Sequence, residues 1–160
     1  MNEYPSVQEM DDDQRIGIVK DIFASVADKY DFLNRFLSGR RDVAWRKRTV
    51  KEMNFSQTKR FLDVATGTGD LAIDCANTYS NVKVVGVDFV KEMVNKGIEK
   101  VQNKNLQERV NIKLGDATKL EYDDSSFDVT AIAFGIRNIP DKLLVLSEMR
   151  RVVVEDGQVM

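Results

Sequence analysis

The chain has 160 residues, 42% hydrophobic and 31% charged, enough for one globular domain with a buried core. A net charge of −2 argues against nucleic-acid binding by bulk electrostatics, and a single cysteine, Cys75, excludes an internal disulfide framework. With no histidine the usual metal ligand and the usual general base are both missing, so no metal site is expected.

Taken in chain order, Asp11-Asp12-Asp13 stands ready to cap a helix whose apolar residues Ile16, Val19, Phe23 and Val26 recur at helical spacing. A second helix carries Tyr30, Phe32, Leu33, Phe36 and Leu37 and ends at Gly39; a third holds Ala44, Trp45, Val50 and Met53. From residue 59 the pattern changes to alternating strands (60–65, 82–88, 109–114, 127–134) and helices (70–79, 91–103, 142–153), with a closing segment at 157–160. Apolar β-branched strands separated by such helices predict an α/β fold, a Rossmann-like, doubly wound and mostly parallel sheet joined by right-handed crossovers. Residues 1–55 form the expected helical cap and 56–160 the core. No apolar run reaches membrane-spanning length, and Met1-Asn-Glu-Tyr-Pro5 lacks a basic-then-apolar signal pattern, so a cytoplasmic protein is expected.

Phe61-Leu-Asp-Val-Ala-Thr-Gly-Thr-Gly-Asp-Leu-Ala-Ile73 reads as a buried strand breaking into a glycine turn that opens a helix, where a ligand can touch bare backbone. Asp63 near the strand's end and Asp70 in the first helical turn flank the place where a dinucleotide would set its pyrophosphate. Two carboxylates there favour a cationic nucleoside with an amino-acid tail, namely S-adenosylmethionine. Gly67-Thr-Gly-Asp-Leu-Ala72 also matches the loose dinucleotide pattern, so a nicotinamide-dependent oxidoreductase is the competing class.

Ligands of such sheets sit outside the carboxyl ends of the strands, and here those ends are polar: Asp63 to Asp70, Asp88, Asp116, and Gly135 to Asn138. Asp88 stands about twenty residues past the turn, the spacing of an acid that accepts from ribose hydroxyls. Asp116, followed by small Ala117, is placed to accept from the exocyclic amine of adenine. Each aspartate has a plainer alternative as a turn or cap former, and Cys75 falls on a helix face that belongs in the core.

Phe23-Ala-Ser-Val-Ala-Asp-Lys-Tyr-Asp-Phe-Leu-Asn34, Ser38-Gly-Arg-Arg-Asp-Val-Ala-Trp-Arg46, Phe61 to Ile73 and Ala133-Phe-Gly-Ile-Arg-Asn-Ile-Pro-Asp141 together resemble the ubiquinone/menaquinone biosynthesis C-methyltransferase family. The resemblance implies a class I S-adenosylmethionine-dependent enzyme that methylates a ring carbon of a polyprenylated benzoquinol or naphthoquinol and releases S-adenosylhomocysteine. It places the cofactor against Thr68 in a turn with Asp63, Thr66, Gly67 and Gly69, against Asp88 with Phe89 and Met93, and against Asp116, Ala117 and Phe134. Arg137 is the candidate that stabilises a phenolate, with Asn138 orienting the same oxygen; an ion pair between Arg137 and Asp141 is the plainer alternative. Tyr30 and Phe36 are expected to face a greasy substrate.

Two departures qualify the resemblance. Asp88-Phe-Val-Lys-Glu-Met93 keeps only the methionine of a small polar residue and methionine pair, and the family continues beyond residue 160 through a fifth strand and a closing hairpin that this chain is expected to lack. A truncated, non-catalytic homologue that binds cofactor or a partner is therefore the second alternative. A sheet edge left open in this way predicts self-association into a homo-oligomer. The nine basic residues against two acidic ones from Arg35 to Arg60 read as a solvated face or as peripheral contact with anionic lipid.

Overall fold

A computed structural model describes residues 11–27, 29–39 and 41–160, without the side chains of 12, 13 and 32–35, so the expectation for Phe32 and Leu33 lies outside the described residues. Three helices come first, α1 (Asp12–Val26), α2 (Tyr30–Leu37) and α3 (Arg41–Lys51). There follow β1 (Arg60–Val64), α4 (Asp70–Thr78), β2 (Lys83–Asp88), α5 (Lys91–Asn103), β3 (Val110–Leu114) and β4 (Phe127–Ile132). A 3-10 turn (Ile136–Asn138), α6 (Lys142–Val152) and β5 (Val153–Val159) complete the order. α1 starts where a capping box allows it: the Asp11 carboxylate accepts from Gln14 N–H at 2.8 Å and Gln14 Oε1 accepts from Asp11 N–H at 3.2 Å.

The five strands lie in the order β3-β2-β1-β4-β5 and every neighbouring pair is parallel. This is the doubly wound fold the strand and helix alternation predicts, with its topological switch between β1 and β4. Phe61, Val84 and Val129 pack with Leu71, Cys75 and Val94 on one face, and Leu62, Val64 and Phe127 pack with Val145 and Met149 on the other. Cys75 is fully buried, and that burial pushes its thiol up to about 12, which makes it core and not nucleophile.

A fifth strand is present, contrary to the expectation that the chain lacks one. Its polar centre, Glu155-Asp156-Gly157, reads as a turn in sequence because the pairing there is irregular: Phe127 opposes Val153, yet Val129 opposes Gln158. Asp156 takes a left-handed φ of +62° inside that bulge, which swallows the extra residues and lets pairing resume at Gln158. β4 ends at Ile132, two residues before the predicted end, because Phe134 is left-handed at φ +65°.

The buried Asp128 carboxylate ties the approach to β1 onto β4. It accepts from the N–H groups of Gln57, Thr58 and Lys59 at 2.8, 2.9 and 2.6 Å, and from the Thr58 hydroxyl at 3.1 Å.

Candidate functional site

The carboxyl ends of β1 to β4 open onto one cavity of about 440 Å³, roofed by Ile16 and Phe23 of α1 and Tyr30 of α2. The roof is held by packing: Phe23 meets Tyr30 edge-on with ring centroids 5.8 Å apart, and both pack with Ala27, Val90 and Met93.

The turn between β1 and α4 is shaped by left-handed residues at Ala65 (φ +52°), Gly67 (+57°) and Gly69 (+79°). Beneath it lies Asp63, only 1% exposed, whose Oδ2 accepts from the Thr66 hydroxyl at 2.6 Å and from Ala72 N–H at 3.2 Å. Burial raises Asp63 to about 7, against the pull of those two donors. Above the turn, Gly67 N–H donates to Asp88 Oδ2 at 2.8 Å while Asp88 Oδ1 accepts from Val90 N–H at 2.9 Å. Burial raises Asp88 as well, and backbone donors from Val90, Gly67 and Phe89 oppose the rise.

These contacts sort the expected residues. Gly67, Asp88, Phe89, Met93, Asp116, Ala117, Phe134, Arg137, Asn138 and Tyr30 line the cavity. Asp63, Thr66, Thr68 and Gly69 do not line it, and neither does Phe36. The reason is backbone geometry: a turn with three left-handed residues aims Asp63 and Thr66 inward as braces, and Gly69 is spent as the N-cap of α4. Phe36 is 73% exposed; six positions after Tyr30 on one helix, it projects from a different face. Asp116 is a turn former that also lines the cavity: its Oδ1 accepts from Thr118 N–H and hydroxyl at 2.8 and 2.7 Å.

The expected electrostatics need one correction. Asp70 does not confront the ligand, because Lys100 pairs with it and Arg46 Nη2 stands 3.2 Å from its other oxygen. Lys100 Nζ also donates to Asp31 at 2.7 Å and to Thr68 Oγ1 at 3.0 Å, while the Thr68 hydroxyl donates to Asp31 at 2.6 Å. Thr68 thus belongs to a network joining α2, α5 and the turn. The carboxylates that do face the cavity are Asp88 and Asp116.

Arg137 sits on the exposed 3-10 turn after β4 and forms no ion pair among the described residues. Asp141, its alternative partner, instead caps α6 by accepting from Leu144 N–H at 2.9 Å. Sequence reasoning missed Ala65, Leu114, Thr118, Ile139 and Pro140 in the lining. Leu114 ends β3, and Ala65, Ile139 and Pro140 lie within the segments that carry the resemblance, which were the signals available. Gly135 carries its own signal: a Cβ there would stand 2.6 Å from the Ala65 Cβ, so the segment after β4 needs glycine where it passes the end of β1.

Residues 8–160 match the model of the ubiE/COQ5 methyltransferase family. The chain belongs to that family. It is 43% identical over 141 residues to the ubiquinone/menaquinone biosynthesis C-methyltransferase UbiE of Geotalea uraniireducens, covering 88% of this chain and 60% of that protein. It is 42% identical over 143 residues to the demethylmenaquinone methyltransferase of Bacillus cytotoxicus, covering 89% and 60%. The chain thus spans about 60% of the length of the curated relatives it matches. Among solved structures, a SAM-dependent methyltransferase from Aquifex aeolicus superposes with a TM-score of 0.68 at 26% identity, over 82% of this chain and 67% of that one. The YcgJ protein of Bacillus subtilis gives 0.65 at 28% identity, over 71% and 47%. The fold is that of S-adenosylmethionine-dependent methyltransferases, as the glycine turn and strand ends lead one to expect.

Proposed function

We propose that this chain forms the cofactor-binding part of an S-adenosylmethionine-dependent C-methyltransferase acting on a demethylated, polyprenylated quinol. One observation carries the choice of cofactor: the Gly67 N–H that would cradle a pyrophosphate is already donated to the Asp88 carboxylate. A dinucleotide would meet a carboxylate in place of that donor. A Cβ on Gly67 would meet only Tyr30, at 4.0 Å, so there is room above the turn for a cofactor's tail. Asp88 and Asp116 then accept from hydroxyl and amine donors of the nucleoside.

When bound, S-adenosylmethionine supplies an electrophilic methyl group on a sulfonium. The chain's own part is to hold the acceptor. Strand order puts Asp88 and Asp116 on one side of β1 and Arg137 with Asn138 on the other, so the acceptor lies on the β4 side. There the Arg137 guanidinium favours the ionised form of an acceptor hydroxyl, and Asn138 fixes its oxygen. With no histidine in the chain, the proton passes to water or a carboxylate.

The test is transfer of labelled methyl to demethylated benzoquinol and naphthoquinol acceptors. Arg137→Ala should lower kcat by about 10²- to 10³-fold and leave cofactor Kd unchanged. Saturable binding of NAD with none of S-adenosylmethionine would overturn the assignment. Helices α1 to α3 act in this proposal as the cap over the acceptor. Two partner readings accompany it: the basic stretch from Arg35 to Arg60 against anionic lipid, and self-association. Vesicle co-sedimentation indifferent to anionic lipid would remove the first, and a monodisperse monomer in ultracentrifugation the second. No helix among the described residues is long and apolar enough to cross a membrane.

A further inference from the structure

The β4 side of the cavity ends in two aromatic rings: Phe134, which the resemblance sets against the cofactor, and Trp45, which the chemistry above does not use. Phe134 lines the cavity and is still 42% exposed, so it reaches from the interior to solvent. Trp45 of α3 packs on it with ring centroids 6.0 Å apart and planes inclined by 39°. Trp45 is 53% exposed and lies outside the cavity wall, so the pair continues the apolar lining outward.

This presentation is built into the backbone. Phe134 is left-handed at φ +65°, a conformation a bulky side chain rarely adopts, and it is held by the close crossing of Gly135 over Ala65. Strain of that kind persists only where the surroundings over-determine it, and it clusters at ligand sites. Nothing in the core needs the Phe134 ring, which packs on Trp45 and not among buried side chains.

The cavity's size says what crosses this exit. About 440 Å³ lies within the roughly 300–1,000 Å³ that one drug-sized ligand occupies. With the acceptor on the β4 side, as in the proposed function, a long apolar substituent on its ring runs toward the partly exposed Phe134. We propose that Phe134 and Trp45 carry the first segment of the acceptor's apolar side chain out of the cavity, which makes Trp45 a specificity-determining residue for prenylated over bare-ring acceptors. The inference rests on the proposed function and adds the residues that read the tail.

The test is equilibrium binding, measured by calorimetry in the presence of S-adenosylhomocysteine. Two demethylated naphthoquinols are used, kept reduced, one without a side chain and one with a single isoprenyl unit. The isoprenyl unit should tighten binding to the unmodified chain by about tenfold. Trp45→Ala should bring that ratio close to one, and Trp45→Phe should keep most of it, a rescue that general loss of structure would not give. Phe134→Gly is the second variant, since glycine takes the left-handed φ freely, and it too should flatten the ratio. Trp45 is the chain's only tryptophan, so its emission should move to the blue with the prenylated quinol and stay in place with the bare ring. An unchanged ratio in both Trp45→Ala and Phe134→Gly overturns the inference while the proposed function stands. Failure of S-adenosylhomocysteine to bind the unmodified chain overturns both.

Discussion

Replacing Asp128 by alanine is expected to destabilise the fold by about 3 kcal/mol, the largest loss for any single polar side chain described above. Asp128 is 1% exposed and receives three backbone N–H groups and one hydroxyl. Alanine leaves the three N–H groups of residues 57 to 59 without an acceptor where the chain enters β1, and β1 is the central strand. Although burial alone would raise this carboxyl, its four donors outweigh it and hold Asp128 below its ordinary 3.8. The sign of the pH dependence follows. Because the folded form releases its proton more readily than the unfolded one, the contribution is complete above the unfolded value and is lost as pH falls through the folded one. Urea unfolding at neutral pH and again near pH 3 checks this: the gap between the unmodified chain and Asp128→Ala should be smaller in the second than in the first. Equal gaps at both would show that the carboxylate's charge plays no part.

Asp88→Ala should weaken S-adenosylmethionine binding by about 100-fold or more, read by calorimetry. Two losses combine. The variant removes a carboxylate that lines the cavity and that the proposed function gives to the nucleoside, and it frees Gly67 N–H, now held by Asp88 Oδ2 at 2.8 Å, so the turn loses its tether to β2. Val90 N–H loses its partner as well, which makes a melting temperature measured beside each Kd part of the experiment. Asp88→Asn keeps an acceptor oxygen and should fall between the two. Burial raises Asp88 above the usual carboxylate range, so affinity should begin to fail on acidification at a higher pH than an exposed aspartate would set. A Kd for Asp88→Ala within twofold of the unmodified chain would remove Asp88 from the site.

The ionic network around Thr68 explains why the helical cap and the glycine turn form one structure. Asp31 of α2, Lys100 of α5, Asp70 of α4 and Arg46 of α3 meet there, and Arg46 is 9% exposed. Two cations face Asp31, Asp70, Asp42 and Asp74. The surplus of carboxylate charge lies behind the turn and not in the cavity. It adds to the local negative potential that favours the cationic guest of the proposed function, while Asp88 and Asp116 line the cavity itself.

Much of this protein was legible in its residues. Apolar β-branched runs marked the first four strands and helical spacing the helices, because both are local consequences of backbone geometry. The glycine turn and the acids at or just past the ends of β2 and β3 were legible for the same reason: in a parallel sheet the crevice that takes a ligand lies outside the carboxyl ends of the strands. Tertiary structure alone decided which of the clustered aspartates faces that crevice. Asp63 was turned under the loop by three left-handed residues, and Asp70 was neutralised by Lys100, 30 residues further along the chain. Helical spacing placed Tyr30 and Phe36 on α2 but could not say that only Tyr30 would meet Gly67. The fifth strand escaped notice because a bulge hides its period. For Asp70 and Tyr30 the deciding partner is distant in sequence, and a local pattern holds no information about which distant group folding will bring to it; for Asp63 and the fifth strand it is a set of left-handed backbone conformations that composition alone does not announce.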